Sequence, residues 1–237
     1  MSAIQRSKLN DGFLPKGAIV MAKKSKRSKP KNLPATVSTD GLPNDFESLQ
    51  ADVANCKKCK LCETRHQTVF SDGSNKAKLM FIGEAPGEQE DETGKPFVGR
   101  AGQLLTKMIE AMGLTRNEIY IANIIKCRPP ENRYPETEEV IQCQPYLMKQ
   151  IELLKPTVIV ALGTCATQTL LRTEETISDM RGKYVTFDTG KFKTEHFMPT
   201  FHPSFLLRSP QGKKQVWKDL QVVAKTMGIK IPHQKSV

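Results

Sequence analysis

The sequence predicts an α/β protein, with a mostly parallel sheet covered by helices on both faces. Three observations carry that prediction. Pro156-Thr-Val-Ile-Val-Ala-Leu-Gly163 is an apolar, β-branched run ending on glycine, as a strand buried on both faces does. Lys78–Ile82 is a second apolar run, followed by a loop and then by apolar residues at 104, 105, 108, 109 and 112, a helical spacing. Strand-like and helix-like stretches continue to alternate downstream, which is the pattern of βαβ units.

Taken in order, residues 1–43 read as a disordered tail. Met21–Lys31 is lysine-rich, proline-punctuated and without apolar periodicity, and it could hold nucleic acid non-specifically. Met21, directly before that run, is an alternative first residue. Neither a transit peptide nor a signal peptide is legible in residues 1–20. The globular domain spans 44–230. Phe46, Leu49 and Val53 mark a short amphipathic helix leading into the first cysteines. After the strand at 78–82 and the helix at 101–112 comes Glu118–Ile125, a strand. Residues 135–154 have helical spacing, 156–163 is a strand and 164–171 a helix. Two β segments follow near 183–188 and 195–201, the second ending at His202. Lys213–Met227 closes the domain as a helix with Val216, Leu220, Val223 and Met227 on one face. Residues 231–237 form a C-terminal tail.

At 237 residues the chain suits one domain with a tail. Its formal net charge of +11 favours a polyanionic partner. Six cysteines without a secretory signal point to thiolate ligands in a reducing compartment rather than a disulfide scaffold. No apolar run approaches the ~20 residues that span a bilayer. A soluble, intracellular protein is expected.

The candidate site is the stretch Gly83-Glu-Ala-Pro-Gly-Glu-Gln-Glu90 through Gly94 to Lys95-Pro-Phe-Val-Gly99. It joins the carboxyl end of a strand to a helix, where open α/β sheets bind ligands. Glycine lets a backbone approach a ligand, Phe97 offers a stacking face, and Glu84, Glu88 and Glu90 offer general-base chemistry. The plain alternative is a solvated acidic loop. Cys56-Lys-Lys-Cys59, with Cys127 and Cys143 far downstream, forms a four-thiol set suited to zinc or an iron–sulfur cluster. On spacing alone zinc is the default. Cys62 either replaces a member of that set or is a bystander, and Cys165 reads as core.

Gly83-Glu-Ala-Pro-Gly-Glu, Gly94-Lys-Pro-Phe-Val-Gly-Arg-Ala-Gly102, Asn123-Ile-Ile-Lys-Cys127-Arg-Pro-Pro130 and His202-Pro-Ser-Phe-Leu206 together resemble the family 4, iron–sulfur uracil-DNA glycosylases, over roughly residues 50–228. The resemblance implies a three-layer α/β/α sandwich with a central four-stranded parallel sheet. It implies a [4Fe–4S] cluster held by Cys56, Cys59, Cys127 and Cys143, in place of zinc. It also implies an enzyme of base excision repair that flips uracil out of DNA and hydrolyses its N-glycosidic bond, leaving an abasic site.

On that resemblance the base pocket consists of Gly83, Glu84, Ala85, Phe97, Asn123 and His202. Asn123 reads the uracil edge, donating to O4 and accepting from N3–H, and Phe97 stacks on the ring. His202 donates to O2 as charge develops on the departing base. The wider superfamily places an aspartate where this chain has Ala85, so Glu90, with Glu84 near it, is the expected water-orienting base. Leu206 and Leu207 are expected to wedge into the gap left by the base, with Arg208 on phosphate. The partner is uracil-bearing DNA. The protein is expected to act as a monomer, cytoplasmic and nucleoid-associated, with a DNA clamp or repair factor touching the tails. Two rival readings are a relative that traps uracil sites without turnover and a metal-stapled binding module without catalysis.

Overall fold

The computed structural model describes residues 33, 34 and 36–232. Six strands form one sheet: β1 (Asp72–Gly73), β2 (Leu79–Gly83), β3 (Tyr120–Asn123), β4 (Val158–Leu162), β5 (Val185–Asp188) and β6 (Lys193–Thr200). Their order is β1-β3-β2-β4-β6-β5. β3, β2, β4 and β6 run parallel, while β1 and β5 add antiparallel edges. The expected four-stranded parallel centre is present, inside a wider mixed sheet. Two-residue β1 is too short for any periodicity to announce.

The helices are α1 (Phe46–Ala54), α2 (Glu88–Thr93), α3 (Arg100–Ala111), α4 (Thr137–Leu154), α5 (Gly163–Leu171), α6 (Ile177–Met180), α7 (Pro203–Arg208) and α8 (Gly212–Thr226). Strand alternation sorts them into two layers. Met80, Ile82, Ile159 and Ala161 face α1, α4 and α5, meeting Leu49, Val53, Leu147, Ile151 and Leu170. Leu79, Phe81, Val158 and Val160 face the other way, against Leu105 and Ile109 of α3 and Val216, Leu220 and Val223 of α8. A one-residue slip in β2 or β4 would exchange these two sets, so the packing on both faces pins the register.

The site follows from this topology. β2 leads through α2 to α3 on one face, and β3 leads to α4 on the other. Adjacent strands whose exits diverge leave a crevice at their carboxyl ends. β3 stops at Asn123, shorter than the 118–125 stretch read as strand. Beyond it Ile124 and Ile125 still donate to Gly83 and Glu84 carbonyls, and the chain then turns into the cysteine site.

Packing begins before residue 44. The Thr39 hydroxyl is buried and donates to the Glu152 carboxylate of α4 at 2.9 Å, and Val37 and Leu42 lie against the same core. At the other end, Ile231 packs on the α3/α8 core, so the boundary at 230 also moves outward. The basic run Met21–Lys31 lies outside the described residues. Among those described, no helix is long and apolar enough to cross a membrane.

Candidate active site

A crevice of ≈ 790 Å³ of empty volume, mouth included, is lined by Glu84, Ala85, Glu90, Phe97, Asn123 and His202. These residues come from three separate stretches of chain, and the fold brings them together. Gly83 stands directly behind them. In the β2/β3 ladder it pairs with Asn123. A Cβ placed on Gly83 would lie 2.4 Å from Asn123 Oδ1 and 2.4 Å from Phe97 Cζ. Glycine is required here by close approach, since its φ is not in the left-handed region.

Asn123 is 2% exposed and its Oδ1 has no hydrogen-bond partner. A buried acceptor left unpaired costs ~1–3 kcal/mol, so this atom lacks a donor that a ligand in the crevice would bring. Phe97 has φ 55°, unusual for a bulky residue and costing ~1–2 kcal/mol. Two supports hold it there. Arg116 donates to the Pro96 and Phe97 carbonyls at 2.8 and 3.0 Å while pairing with Asp72 of β1. Glu90 accepts from the backbone N–H groups of Val98 and Gly99 at 2.9 and 2.8 Å, and from Gly87 at 3.1 Å.

Those three bonds change the reading of Glu90. A carboxylate has about four acceptor positions, so most of this one is occupied in clamping the loop from 87 to 99. Glu84 stands on the same wall. Glu88 points elsewhere, toward Arg128 at 3.5 Å, and does not line the crevice.

His202 caps the N-terminus of α7, where its Nδ1 accepts from the Ser204 backbone N–H at 3.1 Å. A ring nitrogen that accepts carries no hydrogen, so the neutral imidazole holds its proton on Nε2. The ring is packed on most sides and keeps a little exposed surface. Desolvation, helped by the charge of Arg208, lowers its pKa to about 4. His202 is therefore a neutral donor across the physiological range. Its ring centroid lies 5.6 Å from that of Phe97.

One expected contact fails. Leu206 is 1% exposed and belongs to the core between α3 and α8, so it cannot wedge into DNA. The sequence placed it on an open tip, but the segment winds into α7, and helical rotation turns 206 inward. Leu207 and Phe205 are the apolar side chains left on the outer face, 40% and 37% exposed, with Arg208 exposed beside them. Sequence reasoning also missed Arg116, Asp72, Asn132 and Arg133. The last two line the crevice. No local pattern marks any of these, although Asn132-Arg133 sits just past the Cys-Arg-Pro-Pro stretch.

The cysteines gather at a second site behind α1 and α4. Cys56, Cys59, Cys62, Cys127 and Cys143 all line one cavity of ≈ 310 Å³ empty volume, opening included. Among the described residues no three His, Cys, Asp or Glu groups are set to hold a single metal ion. The five thiols nonetheless line one common cavity, so the fold gathers cysteines that are up to 87 residues apart in the chain. Arg65 donates to Cys127 Sγ at 3.1 Å and the Lys126 backbone N–H to Cys143 Sγ at 3.2 Å, contacts that suit thiolates. Burial raises the Cys59 and Cys127 thiols and pushes Cys143 up to about 12. Bare thiolates are costly in such a place, and a cationic metal core offsets that cost. The donor set thus fits a metal centre. Cys165 is buried in α5 and apart from it, as expected for a core residue.

Comparison with known proteins follows the same residues. The profile of the Uracil DNA glycosylase superfamily matches residues 70–221. Over 192 residues the chain is 42% identical to a type-4 uracil-DNA glycosylase of Saccharolobus solfataricus, covering 79% of this chain and 88% of that protein. The chain belongs to this superfamily, and within it to the type-4 group. A type-4 enzyme of Thermotoga maritima is 43% identical, covering 74% of this chain and 91% of its own length. A type-5 uracil-DNA glycosylase of Pyrobaculum aerophilum is more distant, at 33% over 115 residues, covering 42% of this chain and 50% of that protein. Within the type-4 group, then, the crevice between β2 and β3 is the candidate base pocket.

Proposed function

We propose that this protein removes uracil from DNA by hydrolysing the bond between N1 of the base and C1′ of the sugar. Water supplies the oxygen that bonds to C1′, and the base leaves carrying the bonding electron pair, to be protonated afterwards. The observation that carries the reading is Asn123, which lines the crevice with Phe97 and His202 and whose Oδ1 is buried without a partner.

Uracil presents an N3–H donor and an O4 acceptor to the asparagine amide; cytosine presents the reverse. Phe97 stacks on the extruded ring. His202, neutral with its proton on Nε2, donates to O2 as negative charge gathers there. A preorganised donor of this kind contributes about 10²–10³-fold to rate. Glu90 orients water through the acceptor position its clamp leaves over, and Glu84 offsets positive charge on the sugar. Leu207 fills the gap left by the base, with Arg208 against phosphate.

Cys56, Cys59, Cys127 and Cys143 would hold a [4Fe–4S] cluster, which supplies a staple between the amino-terminal segment, β3 and α4. Hydrolysis calls for no electron. The protein is read as a monomer acting at the nucleoid, with the tails open to a clamp or repair factor. The rival reading, a relative that traps the site on an inserted loop, is disfavoured because Gly99 leads straight into the first residue of α3. Incubation with a uracil-bearing oligonucleotide followed by alkali tests the proposal. Strand cleavage at the uracil position is expected. An intact strand, or a protein–DNA adduct in its place, would overturn it.

A further inference from the structure

Lys126 is buried to 1% exposure, and nothing in the hydrolytic reading uses it. A lysine in that position needs partners, because an unpaired buried ammonium is costly. Its Nζ donates to the Asn123 carbonyl at 2.9 Å and to Gln150 Oε1 at 2.5 Å. Gln150, on α4, in turn donates to the Phe70 carbonyl and to the Tyr120 hydroxyl at 3.1 and 2.9 Å. From the other end of the same residue, the backbone N–H of Lys126 donates to Cys143 Sγ. Cys127 follows directly in the chain. A single residue therefore bonds the main chain of the proposed base reader on one side and a cysteine of the metal site on the other.

We infer that Lys126 is a positioning residue for uracil recognition, holding Asn123 against the crevice and tying its placement to the cysteine site. Asn123 closes a strand, and past it the ladder has only the two bonds to Gly83 and Glu84 before the chain turns. The Lys126 ammonium is a charged donor on the Asn123 carbonyl, at the point where the strand ends. The amide above it must meet the uracil edge within a few tenths of an ångström, since side-chain hydrogen bonds weaken quickly with angle. Without the ammonium, the peptide between Asn123 and Ile124 keeps its Ile124 N–H bond to Gly83 but loses the charged donor on its carbonyl, which loosens the placement of Asn123. The coupling also gives the metal site a role in recognition beyond holding the chain together, because displacing Cys143 would release the Lys126 backbone as well.

This inference rests on Asn123 being the base reader, and the test separates the two. Lys126→Met keeps the stem and removes the ammonium. Four quantities are measured on it, on wild type and on Asn123→Ala: inhibition by free uracil, affinity for abasic-site DNA, uracil release, and iron per protein with absorbance near ~400 nm. Lys126→Met is expected to weaken free uracil binding by ~10- to 100-fold, the scale of a lost charged hydrogen bond. Its abasic-DNA affinity and iron content should stay at wild-type levels. A merely structural lesion would move abasic-DNA binding and iron together with uracil binding. Unchanged uracil inhibition in Lys126→Met, with Asn123→Ala impaired, overturns the positioning role alone. Unchanged inhibition in Asn123→Ala overturns the base-reader assignment. Should Lys126→Met fail to accumulate, Gln150→Met serves instead, because it loosens the ammonium without touching Asn123. A ~3- to 10-fold weakening is then expected, and wild-type inhibition would overturn the inference.

Discussion

Gly83→Ala adds one carbon behind the proposed base pocket, where the space is already filled. That carbon would lie 2.4 Å from Asn123 Oδ1, 2.4 Å from Phe97 Cζ and 2.7 Å from Phe97 Cε2, whereas ordinary contacts begin near 3.4 Å. Both neighbours must therefore retreat by roughly 1 Å. Neither can do so cheaply. The Asn123 side chain is enclosed, and the Phe97 backbone is held in the left-handed region by Arg116 and by the Glu90 clamp. Overpacking of this kind costs ~1–3 kcal/mol of stability. The effect on catalysis is larger, since a displacement of about 1 Å can cost ~10²-fold in rate. Single-turnover uracil release should thus fall by ~10²-fold or more, while thermal unfolding shifts by only a few degrees and abasic-DNA binding persists. If Gly83→Ala released uracil at the wild-type rate, Asn123 and Phe97 would not be the groups that touch the base.

Further expectations concern the other parts of the site. His202→Ala should lower kcat by ~10²–10³-fold with a smaller change in KM. Because burial holds the His202 pKa near 4, below its unfolded value of ~6.5, the unfolded chain binds more protons between those values. Stability tied to this ring is therefore complete above about pH 6.5 and is lost as pH falls toward 4, and the NMR signals of the His202 ring, assigned with the His202→Ala variant, should not titrate near 6.5. Cys143→Ala should lose iron and stability together, whereas Cys62→Ala should keep both, as read by absorbance near ~400 nm and thermal melting. Bleaching in Cys62→Ala would move that thiol into the ligand set. Leu207→Ala should slow excision from duplex DNA more than from single strands and leave folding intact. Leu206→Ala should instead destabilise by ~2–5 kcal/mol, as measured by denaturant unfolding.

Much of this was legible in the chain because it is local. An apolar run with a glycine at its end reads as a buried strand, so β2, β4 and the longer helices α3, α4 and α5 could be placed from periodicity, whereas α2, inside the stretch read as a loop, and α6 could not. The separated motifs named the family and offered Asn123, Phe97, His202 and four cysteines as candidates. Such motifs are short local runs, and local runs are what a sequence prints. What it could not print is which long-range partners each side chain meets. Glu90 is an acid in an acidic loop by sequence, and only the fold shows most of its acceptor positions taken by backbone N–H groups, two of them 8 and 9 residues away. Leu206 and Leu207 are indistinguishable neighbours until α7 turns one inward and one outward. Arg116 and Asp72 are ordinary surface types that become the brace under Phe97 across 44 residues of chain. Lys126 reads as one more charge in a basic protein. Burial makes it otherwise, because an ammonium removed from water must find acceptors, and those within reach are the Asn123 carbonyl and Gln150.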